Sequence, residues 1–273
     1  MILLSFKCRG LASQPKKLAF RRLIKQYNPD ILMLQETLGK GEEIIAFLSK
    51  SLPGWLFRAI DADGRSGGLV TGFRAGNFKE ISSWGFDHSL AVELYSKEFC
   101  FPLLLLNVYG PCQEREQFWS SFFQKSFLTH QNLVIGGDLN FSLGVSESWG
   151  ANARPDPLTD FFISQIASSH LIDLSLLKAR PTWRNKRVGD DWVGKKLDRF
   201  LQGEALSEKL SIFRHWVGEG GLSDHFPILL EAKGTLKKPG SPFKFNASWL
   251  SDDSFVSLVH STWRRDELRE EGV

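Results

Sequence analysis

Short apolar runs alternate with segments of helical periodicity along most of the chain. Residues 1–4 are apolar, and after Pro15 the side chains Phe20, Leu23 and Ile24 recur at helical spacing. A second apolar run follows at residues 31–34. This order predicts a buried strand, then a helix with one apolar face, then a second buried strand.

The same criteria predict the elements that follow. Further strands are expected over residues 55–60, 67–73, 78–83, 91–95, 99–108, 133–135, 197–201, 212–217 and 228–231. Helices are expected over residues 42–50, 113–128 and 158–169, and in a tail segment where Phe255, Leu258, Val259 and Trp263 have helical spacing. A turn at 65–68 and a Gly/Ser-rich loop at 142–155 separate some of them. Strands interleaved with helices predict a mixed α/β fold.

The chain is long enough to bury a large core. It has 273 residues, of which 42% are hydrophobic, and sheet-based domains of about 200–250 residues often form one unit. A linker-like run of Lys, Pro, Gly and Ser occupies residues 237–242. We therefore expect a main domain over residues 1–234 and a tail over residues 235–273. The net charge of +3 permits a polyanionic partner without requiring one.

Cysteine usage and hydrophobicity limit the cellular setting. The three cysteines form no close pair, which favours free thiols in a reducing compartment, nuclear or cytoplasmic. The first residues lack a basic segment and a cleavage site, so they predict a strand rather than a signal peptide. No apolar run approaches the roughly 18 residues of a membrane span. We expect no membrane partner, and the sequence indicates no obligate protein partner.

A strand that ends in polar residues marks the first candidate site. Gly136 and Gly137 follow an apolar run and allow close approach to the backbone, and Asp138 and Asn140 come next. If the strand continues, these two side chains point to the same side, at the edge where open α/β folds place ligands. A turn is the alternative, since Gly, Asp and Asn also favour turns. This segment alone does not decide between them.

Other acids also follow or interrupt apolar strands. Glu36 comes directly after a strand, although it could instead serve the N-terminus of the next helix. Asp198 interrupts a strand, and Asp224 and His225 precede the last one. Tyr109 ends a strand, where a phenol usually belongs to the core. Four carboxylates in one pocket would repel each other without a cation, and oxygen ligands without thiolates indicate Mg²⁺ or Mn²⁺.

Basic and aromatic side chains are interleaved between residues 180 and 199. Such a mixture suits a nucleic-acid backbone, with the rings available for stacking or for insertion into a groove. A solvated loop is the alternative. The DNA-binding candidates are Trp183, Arg184, Lys186, Arg187, Lys195 and Lys196.

Five short motifs occur in a fixed order along the chain. They are Gln35-Glu36-Thr37, Asn107-Val-Tyr-Gly-Pro111, Gly136-Gly-Asp-Leu-Asn140, Leu197-Asp-Arg199 and Ser223-Asp-His225. This set resembles the endonuclease/exonuclease/phosphatase superfamily, which includes deoxyribonuclease I and the abasic-site endonucleases. The Arg-Gly-Leu after the first strand, Pro181-Thr-Trp183 and Asp198-Arg-Phe are similar to the endonuclease domain of plant LINE-type non-LTR retrotransposons. The resemblance implies a four-layer sandwich, in which two packed mixed β-sheets are flanked by helices.

The resemblance also implies how a metal and a water would be held. Glu36 would be the main Mg²⁺ ligand, with Asp224 nearby in the metal shell. Asp138 would activate or orient the attacking water. Asn140 would hold that water or a phosphate oxygen.

The remaining matched residues imply contacts to the phosphate. Tyr109 would donate to the oxyanion of the transition state, and His225, held by Asp198, would bind the scissile phosphate. Most of the catalysis would then be electrostatic and positional. The implied activity is a metal-dependent endonuclease that nicks duplex DNA.

One position departs from the family pattern. The family usually has Trp-Asn-Cys-Arg-Gly, whereas this chain has Phe6-Lys-Cys-Arg-Gly10, so Lys7 replaces the asparagine that supports the metal site. An ammonium there would pair with Glu36 and compete with the dication. We therefore predict weakened or absent cleavage, with folding and DNA binding intact and with activity recovered in Lys7→Asn. If Lys7 instead turns out to solvent, the site stays active.

The tail completes the functional hypothesis. Residues 245–249 and the helical segment after them resemble the connector that precedes the reverse transcriptase in such retroelements, and no polymerase follows. We expect a DNA endonuclease from a truncated retroelement reading frame. A catalytically poor DNA-binding remnant is one alternative. An enzyme acting on RNA or a small phosphate ester is another, although the tryptophan-bearing basic segment favours a polynucleotide.

Overall fold

The computed structural model describes residues 1–63, 66–221, 223–234 and 253–270, the side chains of residues 66, 212, 213 and 263–270 excepted. The chain divides into two compact units, Met1–Thr235 and Leu236–Val273. The predicted linker at 237–242, the segment at 245–249 and part of the predicted turn at 65–68 lie outside the described residues.

The helices and strands agree with the sequence pattern in most places. The helices are α1 (Gln14–Tyr27), α2 (Gly41–Ser51), α3 (Arg115–Phe122), α4 (Thr159–Ser168) and, in the smaller unit, α5 (Asp253–Glu270). The strands are β1 (Ile2–Lys7), β2 (Ile31–Gln35), β3 (Trp55–Asp63), β4 (Ser66–Arg74), β5 (Phe78–Phe86), β6 (Ser89–Ser96), β7 (Phe101–Tyr109), β8 (Leu133–Asp138), β9 (Ser148–Trp149), β10 (Leu171–Asp173), β11 (Trp183–Arg184), β12 (Gly194–Lys195), β13 (Asp198–Gly203), β14 (Leu210–Val217) and β15 (Ile228–Gly234). No described helix has the length and apolar character needed to cross a membrane.

Two predictions of secondary structure need correction. The helix expected over residues 113–128 ends at Phe122, and a separate 3-10 turn follows at Ser126–Thr129. The sequence analysis also missed β9, β10, β11 and β12. These strands have two or three residues each, which is too short to show a periodicity of their own.

Two six-stranded sheets form the larger unit together with a small three-stranded one. The first sheet has the order β14-β15-β1-β2-β4-β3 and the second has the order β10-β13-β8-β7-β6-β5. Each of them contains one central parallel pair, β1 with β2 and β7 with β8, and the other pairings are antiparallel. The small sheet has the order β11-β12-β9. The expectation of two mixed β-sheets is confirmed.

Alternation along β1 shows how the layers are built. Leu3 belongs to the apolar core between the two large sheets, whereas Leu4 and Phe6 pack with α1 and α2 on the outer side of the first sheet. A third apolar cluster places α3 and α4 on the outer side of the second sheet. Because side chains alternate along a strand, Lys7 must face the same interior as Leu3.

The two glycines before Asp138 are required by the packing of strands. A Cβ atom on Gly137, whose φ is 150°, would lie 1.9 Å from the carbonyl oxygen of Val108 on the neighbouring strand. A Cβ atom on Gly136 would lie 2.6 Å from the ring of Phe200. The close approach predicted from these glycines therefore comes from the protein itself.

Two buried amides join the sheets next to the strand ends. Nε2 of Gln35 on β2 donates to Oδ1 of Asn107 on β7 at 2.7 Å. Nδ2 of Asn107 donates to the carbonyl oxygens of Leu34 and Val70 in the first sheet. These amides fix the position of β7 against β2 and β4, and both of them lie within two residues of a candidate site residue.

Candidate active site

The carboxyl ends of the two parallel pairs meet between the sheets. β1 ends at Lys7, beside Gln35 at the end of β2. In the second sheet, Tyr109 at the end of β7 lies beside Asp138 at the end of β8, and Asp138 pairs with Asp198 at the start of β13. The topology therefore brings together polar strand ends that are far apart in the sequence.

A buried histidine links two of the aspartates. The side chains of Asp138, Asp198 and His225 are each at most 2% exposed. Nδ1 of His225 lies 2.8 Å from Oδ2 of Asp198, and Nε2 lies 3.7 Å from Oδ2 of Asp138. Because a carboxylate can only accept, Nδ1 carries a proton. Burial acts to lower the pKa of His225, but the charges of Asp198 and Asp138 outweigh it and raise the pKa, which favours the imidazolium.

The Lys7 side chain reaches across the space between the sheets. Its Nζ atom donates to Oδ2 of Asp138 at 2.9 Å and lies 3.7 Å from Oε1 of Glu36. The same atom lies 4.7 Å from the ring centre of Tyr109. Lys7 is only 8% exposed, so it does not turn out to solvent. The contact to Glu36 was predicted from the sequence, whereas the shorter contact to Asp138 was not.

The surroundings of Lys7 keep it charged. Burial acts to lower the pKa of its ammonium, because a charge is costly to remove from water. The negative charges of Asp138 and Glu36 outweigh that cost and raise the pKa above its ordinary value. A permanent positive charge therefore lies between carboxylates that come from different sheets.

Glu36 faces the same space from the end of β2. The hydroxyl of Tyr109 donates to its Oε1 atom at 2.5 Å, and its Oε2 atom lies 3.9 Å from Nε of Arg9. Burial and the hydrogen bond to Glu36 raise the pKa of Tyr109, so the phenol keeps its proton and remains a donor. The backbone of Glu36 is left-handed, with φ of 50°, a conformation that a non-glycine residue adopts when its surroundings hold it there.

Asp224 closes the site on the side of the basic segment. Its Oδ2 atom accepts from Nη1 of Arg9 at 2.9 Å and from Nε1 of Trp183 at 3.1 Å. Burial acts to raise the pKa of Asp224, but these hydrogen bonds lower it to about 2. The sequence analysis did not identify Arg9 as a site residue. Its place in the Arg-Gly-Leu motif after β1 was the signal that could have found it.

Asn140 reaches the site through a turn. β8 ends at Asp138, and Asn140 is left-handed with φ of 54°, so the expected strand continuation is wrong. The backbone N–H of Asn140 donates to Oδ1 of Asp138 at 3.2 Å, and its side-chain amide donates to the carbonyl of Gly110 at 2.5 Å. The turn is therefore the alternative that holds, and it keeps the amide next to the aspartate.

Most of the predicted DNA-binding residues border Asp224. Arg184, Lys186 and Arg187 are exposed, and Trp183 and Lys195 are half-buried. The guanidinium of Arg184 packs over the rings of Trp192 and Phe226, 5.6 Å and 5.5 Å from their centres. The basic cavity, of about 260 Å³, is lined by Arg184, Asn185, Lys186, Arg187, Trp192, Ser223, Asp224 and Phe226.

Lys196 does not belong to that surface. Its side chain is 7% exposed, and Nζ lies 2.9 Å from Oδ2 of Asp173 and 3.2 Å from Oε1 of Glu147. Arg199 pairs with the same two carboxylates. The prediction that Lys196 contacts DNA is therefore wrong, because its charge is used inside the protein.

The buried carboxylates already have partners inside the protein. Asp138, Asp198 and His225 offer ligating atoms within 4.8 Å of one another. However, Oδ2 of Asp198 is bonded to His225, and Oδ2 of Asp138 is bonded to Lys7. Oδ1 of Asp198, by contrast, is buried and has no hydrogen-bond partner among the described residues.

The two residues expected to bind Mg²⁺ are also paired. Glu36 accepts from Tyr109, and Asp224 accepts from Arg9. Ligand oxygens must approach Mg²⁺ to about 2.1 Å. An ammonium within 4 Å of Glu36 and Asp138 opposes a dication at that place by both its volume and its charge. A divalent ion therefore does not fit between these carboxylates while Lys7 is present.

The sequence match extends over the whole of this site. Residues 3–225 match the Endonuclease/Exonuclease/phosphatase family, a span that runs from β1 to His225. The chain belongs to this family. Its two mixed sheets flanked by helices are the architecture expected for deoxyribonuclease I-like members, and solved structures of similar fold agree.

Several known proteins resemble this chain. The "Transposon TX1 uncharacterized 149 kDa protein" of Xenopus laevis is 26% identical over 177 residues, which cover 59% of this chain and 13% of that protein. The endonuclease domain of TRAS1, described as a telomere-specific non-LTR retrotransposon, has a TM-score of 0.64 at 15% identity, with 85% of this chain and 97% of that one covered. The AP endonuclease LMAP from Leishmania major has a TM-score of 0.65 at 14% identity, with 84% and 86% covered.

Proposed function

We propose that this family member binds duplex DNA and acts on its phosphodiester backbone as an endonuclease, with cleavage suppressed in the native chain by Lys7. The observation that carries the proposal is the buried array of Asp138, His225 and Asp198 beside the basic cavity. A protonated imidazole next to a water-activating carboxylate suits a phosphodiester, and exposed arginines next to it suit the flanking phosphates.

In the proposed reaction, a water attacks phosphorus and one P–O ester bond breaks. Asp138 takes the proton of the water, and the imidazolium of His225 binds a non-bridging oxygen of the phosphate. The hydroxyl of Tyr109 and the amide of Asn140 donate to oxygens that gain negative charge in the transition state. The leaving oxygen takes a proton from solvent.

In this proposal, the position of Lys7 is what slows cleavage by the native chain. Burial raises the pKa of Asp138 overall, but the ammonium at 2.9 Å lowers it, so Asp138 is a weaker base with Lys7 present than it would be without it. Neutral asparagine at this position would release Asp138 and Glu36 together. The requirement for Mg²⁺ or Mn²⁺ that the resemblance implied is therefore part of the proposal only for a chain that lacks Lys7.

The choice of DNA rests on the surface and on the relatives. The TRAS1 domain is named an endonuclease of a retrotransposon, and LMAP is named an AP endonuclease. The exposed Arg184, Lys186 and Arg187, with the half-buried Trp183, fit a groove and its phosphates. Origin from a plant LINE-type element and a connector role for residues 235–273 are parts of the same proposal, and they rest on the motifs quoted above.

A nicking assay on supercoiled plasmid tests the function. With Mg²⁺, we expect Lys7→Asn to nick at least about a hundredfold faster than the native chain, since a fixed general base contributes about 10²–10⁴-fold. EDTA should remove that gain. Lys7→Asn/His225→Ala is the matched control and should be inactive. Equal rates for the native chain and Lys7→Asn would contradict the proposal.

Two further arms separate the alternatives. If the chain is only a DNA-binding remnant, Lys7→Asn will bind plasmid DNA and leave it intact. If the substrate is RNA or a small phosphate ester, Lys7→Asn will hydrolyse that substrate faster than duplex DNA with or without an abasic site. Either result would replace the proposal by the corresponding alternative.

A further inference from the structure

The carboxylates around Lys7 already lie next to cationic side chains of the protein itself. Asp138 holds Lys7, and Asp198 holds His225. At the edge of the site, Arg9 approaches both Glu36 and Asp224. The four carboxylates that predicted a metal therefore already lie next to three cationic side chains.

Lys7 is the cation that joins the two sheets. Within 4 Å of Nζ lie a carboxylate oxygen from the end of β8 and another from the turn after β2. A divalent ion held here by Glu36 would have to occupy the space that the ammonium fills. The face of the Tyr109 ring, 4.7 Å from Nζ, covers the ammonium on another side.

The backbone at the end of β1 directs the Lys7 side chain into the space between the sheets. Lys7 is the last residue of β1 and remains paired with Gln35 of β2. Ser5 contacts the buried Gln35 amide, and Phe6 packs on the helix side, so alternation directs Lys7 inward.

We infer that Lys7 is a covalently attached counter-ion that replaces the divalent cation beside Glu36, so that the native chain binds no Mg²⁺ or Mn²⁺ there and loss of this one side chain creates the metal site. The inference rests on the proposed function for the chemical nature of the site. It goes further because it assigns the neutralisation of the carboxylates to Lys7. The native chain can then bind DNA phosphates without any divalent ion.

Direct metal binding tests this without any substrate. Mn²⁺ would be titrated into the full chain, with free ion followed by electron paramagnetic resonance and heat by calorimetry. We expect no stoichiometric site in the native chain and one site in Lys7→Asn. The affinity of that site for Mn²⁺ should be at least about tenfold higher than that of any weak, non-stoichiometric binding to the native chain. Lys7→Asn/Glu36→Gln should lose that site. Lys79→Asn removes the same charge from an exposed position and should behave like the native chain.

Thermal unfolding provides a second readout. In EDTA, Lys7→Asn should melt below the native chain, and Mg²⁺ should raise its melting temperature, because a ligand that binds only the folded state stabilises it. Mg²⁺ should leave the native melting temperature unchanged. If Lys7→Asn does not fold, Lys7→Gln keeps more of the side chain and serves the same comparison.

The outcomes separate this inference from the proposed function. A stoichiometric Mn²⁺ site in the native chain that Glu36→Gln abolishes would overturn the inference, whichever variants fold. Absence of a site in both Lys7→Asn and Lys7→Gln would overturn it as well. A metal site in Lys7→Asn without nicking of DNA would support the inference and refute the proposed endonuclease.

Discussion

Asp198 and Arg199 are neighbours on β13, and each enters a different buried cluster of charges. Asp198 faces the space between the sheets and holds His225. Arg199 points to the opposite side, where it pairs with Asp173 at 2.9 Å and with Glu147. Lys196 joins the second cluster at 2.9 Å from Asp173. One strand therefore supports two groups of buried ionic side chains, one on each face.

The balance and the exposure of the charges distinguish the two clusters. Around Arg199, two cations face two carboxylates, and the favourable charges outweigh burial, so that the pKa values of Glu147 and Asp173 are lowered. The cluster around Asp198 has more carboxylates, and it reaches solvent through its cation Arg9, whose side chain is 53% exposed, whereas the side chains of Arg199 and Lys196 are 0% and 7% exposed. Burial of charge alone does not mark an active site. An excess of carboxylates over cations in a cluster that reaches solvent is the better indication. The charge of Lys7 reduces that excess here.

The largest predicted loss of stability follows from removing Arg199, the buried cation that pairs with Asp173 and Glu147. Arg199→Met should lower the free energy of unfolding by about 4–5 kcal/mol, because the half-buried carboxylates of Glu147 and Asp173 would both lose a partner that is itself 0% exposed. Urea unfolding would measure it. Arg184→Met, on the surface, should change stability by at most about 0.5 kcal/mol. If the two variants are equally stable, the charges around Arg199 do not support the fold.

Removing the cation from the open site should cost less. Lys7→Asn in EDTA is predicted to lose about 3 kcal/mol, at the low end of the range for breaking a buried ion pair, since His225 remains 3.7 Å from Asp138. Urea unfolding in EDTA measures this loss, with Lys79→Asn as the control for charge. A loss as large as that of Arg199→Met would mean that the two clusters do not differ as described.

The buried histidines should respond to pH in opposite directions. Burial lowers the pKa of His215 to about 4, whereas the pKa of His225 is raised. Between pH 6.5 and 4 the unfolded chain protonates at His215 and the folded chain does not, so this residue lowers stability as the pH falls through that window. The contribution of His225 is present at low pH and is lost as the pH rises through its raised pKa.

Acid unfolding can isolate His215. Between pH 7 and pH 5, protonation of His215 in the unfolded chain should lower the free energy of unfolding by about 2 kcal/mol. In His215→Asn this part of the pH-dependent loss should disappear. His260→Gln, at an exposed position in α5, is the matched control and should retain the native pH dependence. An unchanged acid response in His215→Asn would show that other groups cause it.

The smallest effects are expected on the surface. Arg184→Ala and Arg187→Ala should each weaken DNA binding several-fold and reduce the slope of log affinity against log salt by about 1, the amount expected for one phosphate contact. Lys79→Ala should change neither quantity. Lys196→Ala should lower stability and leave the slope unchanged in the molecules that remain folded. A reduced slope in Lys196→Ala would restore that residue to the DNA-binding surface.

Much of the site could be predicted because its acids follow strands. Glu36, Asp138 and Asp198 each end, follow or interrupt an apolar run, which places a carboxylate at the edge of a sheet. The motifs then supplied their grouping. The contact between Lys7 and Asp138 could not be predicted in the same way, because the two residues lie in different sheets and only the packing of those sheets brings them together.

The errors have a common physical origin. Lys195 and Lys196 are adjacent and chemically identical, yet the first is half-buried and the second is enclosed by Asp173 and Glu147. Composition reports the charge of a segment but not the direction of each side chain. Arg9 was missed for a related reason, since its partner Asp224 lies 215 residues away in the sequence.

The amide contact between Gln35 and Asn107 makes the chemistry depend on how the two sheets dock. Gln35 directly precedes Glu36, and Asn107 lies two residues before Tyr109, so one hydrogen bond sets the distance between a carboxylate and its phenol. A molecule with both sheets intact but slightly separated would keep its secondary structure and lose its catalytic geometry. Mild denaturant should therefore abolish the nicking of plasmid by Lys7→Asn before circular dichroism records any unfolding.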